Sequence, residues 1–362
     1  MLISSAGGNP IYRALLQLST PIPRARVQSL AALALTLIIA LVPRHSLAQP
    51  QPQPWSAVTS AAQREGRLTV YNGTGFRVVR LLADQFQRDY GIAVDVLDGR
   101  ASEIRERIRA EQAAGRAIGD LIYSGSTSIA LQTAEGAFAP FGELPNAGKI
   151  AAPLKSDGTF LPVSAGYFAV LVNAKDVAAA EAPKGWRDLT EPKWQGKILS
   201  DDPRALGAGE VWFEVTYEAF GREFHEAMAK QKPVFSRDFA QSNQRVARGE
   251  YPLYLPFNVS EFQRIRGLPI RVVVPAEGVP YVALGPALLK NAPHPNAARM
   301  FMNFMLERNG QELIASEGFR PAVQGTPVPA DLAPVIAARP LGTTTPGKTQ
   351  MYLDLAAEIY GK

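Results

Sequence analysis

Leu68, Thr69, Val70 and Tyr71 form a short apolar, partly β-branched run that breaks at Asn72-Gly73-Thr74-Gly75, after which Val78, Val79, Leu81, Leu82 and Phe86 recur at helical spacing. The pattern predicts a buried strand, a tight loop and a helix. It places the loop between a strand's carboxyl end and a helix N-terminus, the usual ligand position in open α/β sheets. A simple βα turn that binds nothing has the same pattern. Ile92 to Leu97 alternates as a second strand, and Ala101 to Ala114 reads as a helix with Ile104 and Ile108 inward and Arg105, Arg107 and Arg109 on a solvated face. Asp120 to Tyr123 is a third strand running into Ser124-Gly125-Ser126, which repeats the opening design.

Gly166 to Asn173 predicts a longer strand, Glu210 to Phe220 a helix behind Gly207-Ala208-Gly209, and Phe224 to Asn243 a helical stretch broken near Pro233. Leu253 to Leu255, Ile270 to Pro275 and Ala283 to Leu289 read as further strands. Ala297 to Leu306 and Gly310 to Ser316 read as amphipathic helices, the last closed by Gly318. Strands alternating with helices predict a largely parallel α/β architecture.

The chain has 362 residues, 46% hydrophobic and 20% charged, enough for about two domains. Arg13, Arg24 and Arg26 precede an uncharged apolar run that ends before Ser46-Leu47-Ala48. This predicts a secretory signal peptide over 1–48, cleaved after Ala48, rather than a membrane anchor. Residues 49–65 follow as a Pro/Gln-rich tail and a lead-in helix. Absence of cysteine removes disulfides, thiolate ligands and the lipid-attachment residue of exported lipoproteins, so the expectation is a free periplasmic protein. The net charge of +5 is dispersed among acids, which argues against a nucleic-acid surface.

The export signal, Leu68 to Gly75, Gly119-Asp120-Leu-Ile-Tyr-Ser-Gly125 and Leu289-Lys-Asn-Ala-Pro-His-Pro-Asn-Ala-Ala-Arg-Met-Phe-Met-Asn-Phe304 together resemble the solute-binding proteins of bacterial ABC importers, in the extracellular family that includes ferric-binding proteins. The resemblance implies a two-lobed α/β fold of type II periplasmic-binding character, each lobe a central sheet flanked by helices, hinged by crossover strands. Crossings are expected near Pro162 to Gly166 and Val272 to Pro275. Lobe 1 would then be 66–164 with 275–320, lobe 2 would be 165–274, and 321–362 a C-terminal helical segment on lobe 2. The implied partners are a small-molecule solute and an inner-membrane ABC permease, with the protein acting as a monomer.

In the ferric-binding branch the resemblance places metal ligands at positions that here fall on about Gly75, Gly125 and Phe257-Asn258, none of which offers the anionic or imidazole ligands that a trivalent ion requires. No metal or cofactor is therefore expected. The residues that remain for a solute are Asn72, Gly73, Thr74, Gly75, Ser124, Gly125, Ser126, Gly207, Asn258 and Glu261, with Tyr167, Phe257 and Tyr281 as walls. Arg204 is the candidate cation for a carboxylate or phosphate, so the expected ligand is a small anionic organic solute. The alternatives are ferric binding through a non-standard or anion-assisted site, and an enzyme or sensor module on the same fold. Asp201-Asp202 invites an acid-base reading, but no catalytic motif accompanies it.

Overall fold

The computed structural model describes residues 54–361. The expected signal peptide and the tail up to residue 53 lie outside the described residues. The lead-in helix is present as Trp55–Glu65, stopped by Gly66 at φ 66°, a left-handed angle that glycine adopts without steric cost. Among the described residues no helix is long and apolar enough to cross a membrane.

Eleven strands are described: β1 Arg67–Asn72, β2 Ala93–Asp98, β3 Leu121–Gly125, β4 Ser164–Asn173, β5 Ile198–Asp201, β6 Val234–Ser236, β7 Leu253–Asn258, β8 Ile270–Val273, β9 Val279–Leu288, β10 Arg320–Pro321 and β11 Pro340–Gly342. β2, β1 and β3 pair in parallel, and so do β7, β5 and β6. Two ten-residue strands connect these groups. β9 is antiparallel to β3 at Leu121↔Leu288 and to β4 at Tyr167↔Tyr281, while the far end of β4 is antiparallel to β7 at Phe168↔Asn258. Each parallel group carries its own core, which makes the molecule two-lobed.

β4 shows how one strand serves both lobes. Ala165, Tyr167 and Ala169 join the first core, which also contains Leu68, Val70, Val79, Leu82, Phe86, Phe301 and Phe304. Val170 and Val172 join the second, with Trp186, Trp212, Phe213 and Leu255. Every residue of β4 is buried, as expected for a strand covered on both faces. At the waist, a Cβ on Gly285 of β9 would collide with the carbonyl of Leu161, so only glycine permits that approach.

Three expectations need correction. The second crossing is β9; Ile270 to Val273 instead forms β8, which pairs with β4 at Leu171↔Val272. Its β-branched run carries no sign of which strand it joins, and Pro280, Gly285 and Pro286 weaken the strand signal of β9. The stretch expected to be helical from Phe224 to Asn243 contains β6 between two helices, Arg222–Lys230 and Phe239–Ala247. Residues 321–362 divide between the cores: Leu332, Val335 and Ile336 pack in the first, and Tyr352 and Ala356 of the helix Thr349–Tyr360 in the second.

His225, alone in its sequence neighbourhood, fixes that last helix. Its ring is fully buried, 4.2 Å from the Phe213 ring and 5.1 Å from Trp212, and bonds Thr216 Oγ1 at 3.0 Å and Tyr360 Oη at 2.9 Å. Burial lowers its pKa to about 3. As pH falls through about 6.5, the unfolded chain takes up a proton on this imidazole and the native state does not, so the contribution of His225 to stability declines from there toward pH 3. His225→Asn, which cannot titrate, should therefore lose part of its disadvantage. Urea titrations should show the stability gap to the parent protein narrowing by about 2 kcal/mol between about pH 7 and about pH 4.5. A gap independent of pH would show that the imidazole titrates normally in the fold.

Candidate functional site

The carboxyl ends of the parallel strands in both lobes face one cleft of about 420 Å³. Gly73 and Thr74 follow β1, Ser124 and Gly125 end β3, Asp201 ends β5, Arg237 follows β6 and Asn258 ends β7; all of them line it. This is the position at which open α/β sheets bind ligands. Val282 and Leu284 of β9 form the floor between the lobes. Phe76, Phe168, Phe239, Leu206, Leu131 and Val211 make most of the wall apolar. Leu131 of one lobe and Phe239 of the other are each 42% exposed, and Leu206 56%, so large apolar side chains are open to solvent on both sides of the cleft.

Of the residues expected from sequence, Gly73, Thr74, Ser124, Gly125, Gly207 and Asn258 are brought together here. Asn72 lies just behind them. It donates from Nδ2 to Asp98 Oδ1 at 2.7 Å, and its Oδ1 accepts from Thr74 Oγ1 at 2.7 Å, so it shapes the loop. Gly75 has φ 67° and lies outside the cleft wall, while Ser126 opens the helix Ser126–Ala134 with its hydroxyl buried and unpartnered among the described residues. Tyr167 is buried at the waist, where its hydroxyl accepts from Arg320 at 2.8 Å and its ring lies 6.2 Å from that of Tyr281. Phe257 is core. Glu261 accepts from Arg264 at 3.4 Å and lines a second cavity of about 280 Å³ with Phe76, Arg77 and Glu317.

Arg204, the expected anion receptor, is committed elsewhere. Its guanidinium donates to both oxygens of Asp202 at 2.8 and 3.0 Å and to the Gly361 carbonyl at 2.9 Å, and it lies 4.6 Å over the Phe235 ring. A partner two residues away in sequence satisfies the fork locally. His294, in the Ala-Pro-His-Pro stretch, anchors the start of β3: its backbone N–H donates to Asp120 Oδ1 at 2.6 Å and its ring Nδ1 lies 3.0 Å from Oδ2.

The cleft also contains Asp201, weighed from sequence only for acid-base chemistry, and Glu210, which the sequence did not point out. Asp201 is 8% exposed and accepts from the Gly209 N–H at 2.7 Å. Burial raises its carboxyl to about 6 against the pull of the Gly209 and Asp202 backbone bonds; Asp202 pushes it further up and Arg237 draws it down. A Cβ on Gly209 would lie 2.7 Å from the Asp202 carbonyl carbon, so the turn that presents Asp201 requires glycine there. Glu210, in the first turn of the helix Ala208–Phe220, is 2% exposed, and its Oε1 has no hydrogen-bond partner among the described residues. Burial, then the charge of Glu214 one turn on, raises it to about 8. Arg105, read from sequence as a solvated surface residue, reaches the cleft wall but pairs with Glu135.

Residues 82–338 match the family described as bacterial extracellular solute-binding protein. The chain belongs to that family. An uncharacterized protein of Haemophilus influenzae is 26% identical over 283 residues, covering 72% of this chain and 79% of its own. Iron-bound HitA from Pseudomonas aeruginosa superposes with a TM-score of 0.67 at 22% identity, covering 81% of this chain and 99% of that one. A periplasmic thiamin binding protein superposes with a TM-score of 0.66 at 17% identity, covering 82% and 96%. The two-lobed fold of this solute-binding protein is thus that of type II periplasmic binding proteins.

Glu210 gives a measurable pH signature. Its native carboxyl holds a proton up to about pH 8, whereas the unfolded one ionises near 4.5, so stability falls as pH rises through that window. Glu210→Gln removes the penalty. The variant should gain about 1 to 3 kcal/mol of unfolding free energy relative to the parent protein between about pH 5 and about pH 8.5 in urea titrations. A pH-independent difference would show that the carboxylate is ionised in the free protein.

Proposed function

We propose that this protein captures a small organic solute between its lobes in the periplasm and delivers it to an inner-membrane ABC permease. One observation carries the reading: an apolar-walled cleft is built from strand ends of both lobes, with small polar groups, Thr74, Ser124 and Asn258, at its edges. A solute that touches both lobes binds the closed arrangement more tightly than the open one and so shifts the population toward closure, which a permease can sense. Leu131 and Phe239, from opposite lobes, would lose solvent exposure on closing and add to the closed state's stability.

The cleft chemistry changes the expected solute. With Arg204 bound to Asp202 and Arg105 to Glu135, the support for an anion reduces to Arg237, exposed at the rim beside Asp201 and Asp202. The deeply buried charges are acids, so an organic solute with a substantial apolar body fits better than an organic anion. For ferric binding, no group of three or more His, Cys, Asp or Glu side chains able to hold one ion occurs among the described residues.

Mass spectrometry of whatever leaves the denatured protein, followed by calorimetry with that compound, with iron(III) and with organic acids, tests the assignment. An organic compound bound at one site, with a smaller radius of gyration in solution scattering, is the expected result; iron(III) alone binding, turnover of the compound, or no compaction at saturation would refute it. Leu131→Asp and Phe239→Asp should each weaken that compound's binding about tenfold or more, because closure would bury a charge, while leaving the melting temperature of the free protein nearly unchanged.

A further inference from the structure

Glu210 is the group in the cleft whose chemistry is unfinished. It is 2% exposed, it lines the cavity, and Oε1 has no partner among the described residues. A buried carboxyl left without a hydrogen bond costs free energy that a ligand group can recover. The groups around it do not complete it. Glu214 on the same helix accepts from the Thr345 N–H, and Lys348 pairs with Glu218 rather than with Glu210. Asp202 is held by Arg204, and Arg237 stands near Asp201 and Asp202 at the rim. Asp201, also more than nine-tenths buried, adds a second acid to the same wall with its bond from Gly209 as its inward contact.

We propose that Glu210, with Asp201 elsewhere in the same cleft wall, receives the cationic group of an organic solute whose apolar body lies against Phe76, Phe168, Phe239 and Leu206. The inference rests on the solute-binding reading and adds the solute's charge. A cationic head opposite Glu210 would form a charge-assisted bond in a cleft shielded by aromatic side chains, where such a bond is strongest. The apolar body would cover the side chains now exposed at the mouth. A cavity of about 420 Å³ accommodates an arylalkyl amine.

The test uses the protein from residue 49 onward and three matched probes, 4-phenylbutylammonium, 4-phenylbutanol and 4-phenylbutyrate, titrated calorimetrically at about pH 7.5 and moderate salt. The expected result is that the ammonium binds at least about tenfold more tightly than the alcohol, and that Glu210→Gln reduces this preference to less than about threefold. The amide introduced by that substitution keeps the shape of the side chain and a hydrogen-bond donor, so the comparison isolates charge. The variant's melting curve at the same pH reports any loss of fold, and Asp201→Asn provides a second, independent reduction of the preference. The proposal is overturned if the alcohol or carboxylate binds as tightly as the ammonium, if Glu210→Gln keeps the preference, or if the ammonium does not bind. Scattering separates the two levels of failure. Compaction with the carboxylate or alcohol alone sinks the cation and leaves solute binding intact; absence of binding and compaction with all three probes and with the co-purified compound sinks both.

Discussion

The antiparallel pairing of β4 with β9 is the constraint on which the rest of the molecule depends. Each strand is ten residues long; β4 contributes one end to each core, and the register Ser164↔Leu284 to Tyr167↔Tyr281 fixes β9 against its first-lobe end. Because β9 continues against β3 and β4 against β7, the parallel groups on either side are oriented by the same two strands. Their carboxyl ends meet at the waist, and the cleft is the result. Glycine at 285 allows the Leu161 carbonyl to approach β9, while Tyr167, held by Arg320, fills the space beside the crossing. Two cores joined through shared strands can move relative to one another with little repacking inside either.

How much of this was legible follows from what each signal measures. A strand that ends in small polar residues before a helix is a local pattern, and Gly73, Thr74, Ser124 and Gly125 were readable because the chemistry and the chain reversal lie within a few residues. Arg204 carried the same kind of local signal and misled, because its partner is also local: Asp202 sits two residues back, and the sequence shows both charges without showing that they neutralise each other. Glu210 left no mark. Acids in the first turn of a helix are ordinarily solvated and favoured there by the helix dipole, and only the packing of the second lobe and the C-terminal segment around that helix shows that this one is enclosed. Arg105 and Arg237 were invisible for a related reason, since each lies on a segment whose charge pattern alone reads as a solvated face or a turn.

The neighbouring acids Asp201 and Asp202 show how one turn separates two tasks. Asp202 is held below the usual carboxylate range by the Arg204 bonds, against the desolvation that would raise it, and its work is structural. Asp201, one peptide bond earlier, accepts instead from the Gly209 N–H and faces the cleft, where desolvation wins and raises it. The division needs the glycine at 209, whose missing Cβ lets the helix Ala208–Phe220 begin directly against the Asp202 backbone. That same helix start carries Glu210 into the wall.

Desolvation therefore acts twice on this face of the second lobe, and both times it favours the uncharged acid. An anion bound here would push both carboxyl groups further toward their uncharged forms, with Arg237 at the rim as its cationic support. With a cation the sign reverses. A cation beside Glu210 favours the ionised carboxylate and draws its pKa down, the proton passing to solvent as the pair forms. Burial of Glu210 thus both strengthens the attraction to a cation and sets the desolvation cost that this attraction must exceed.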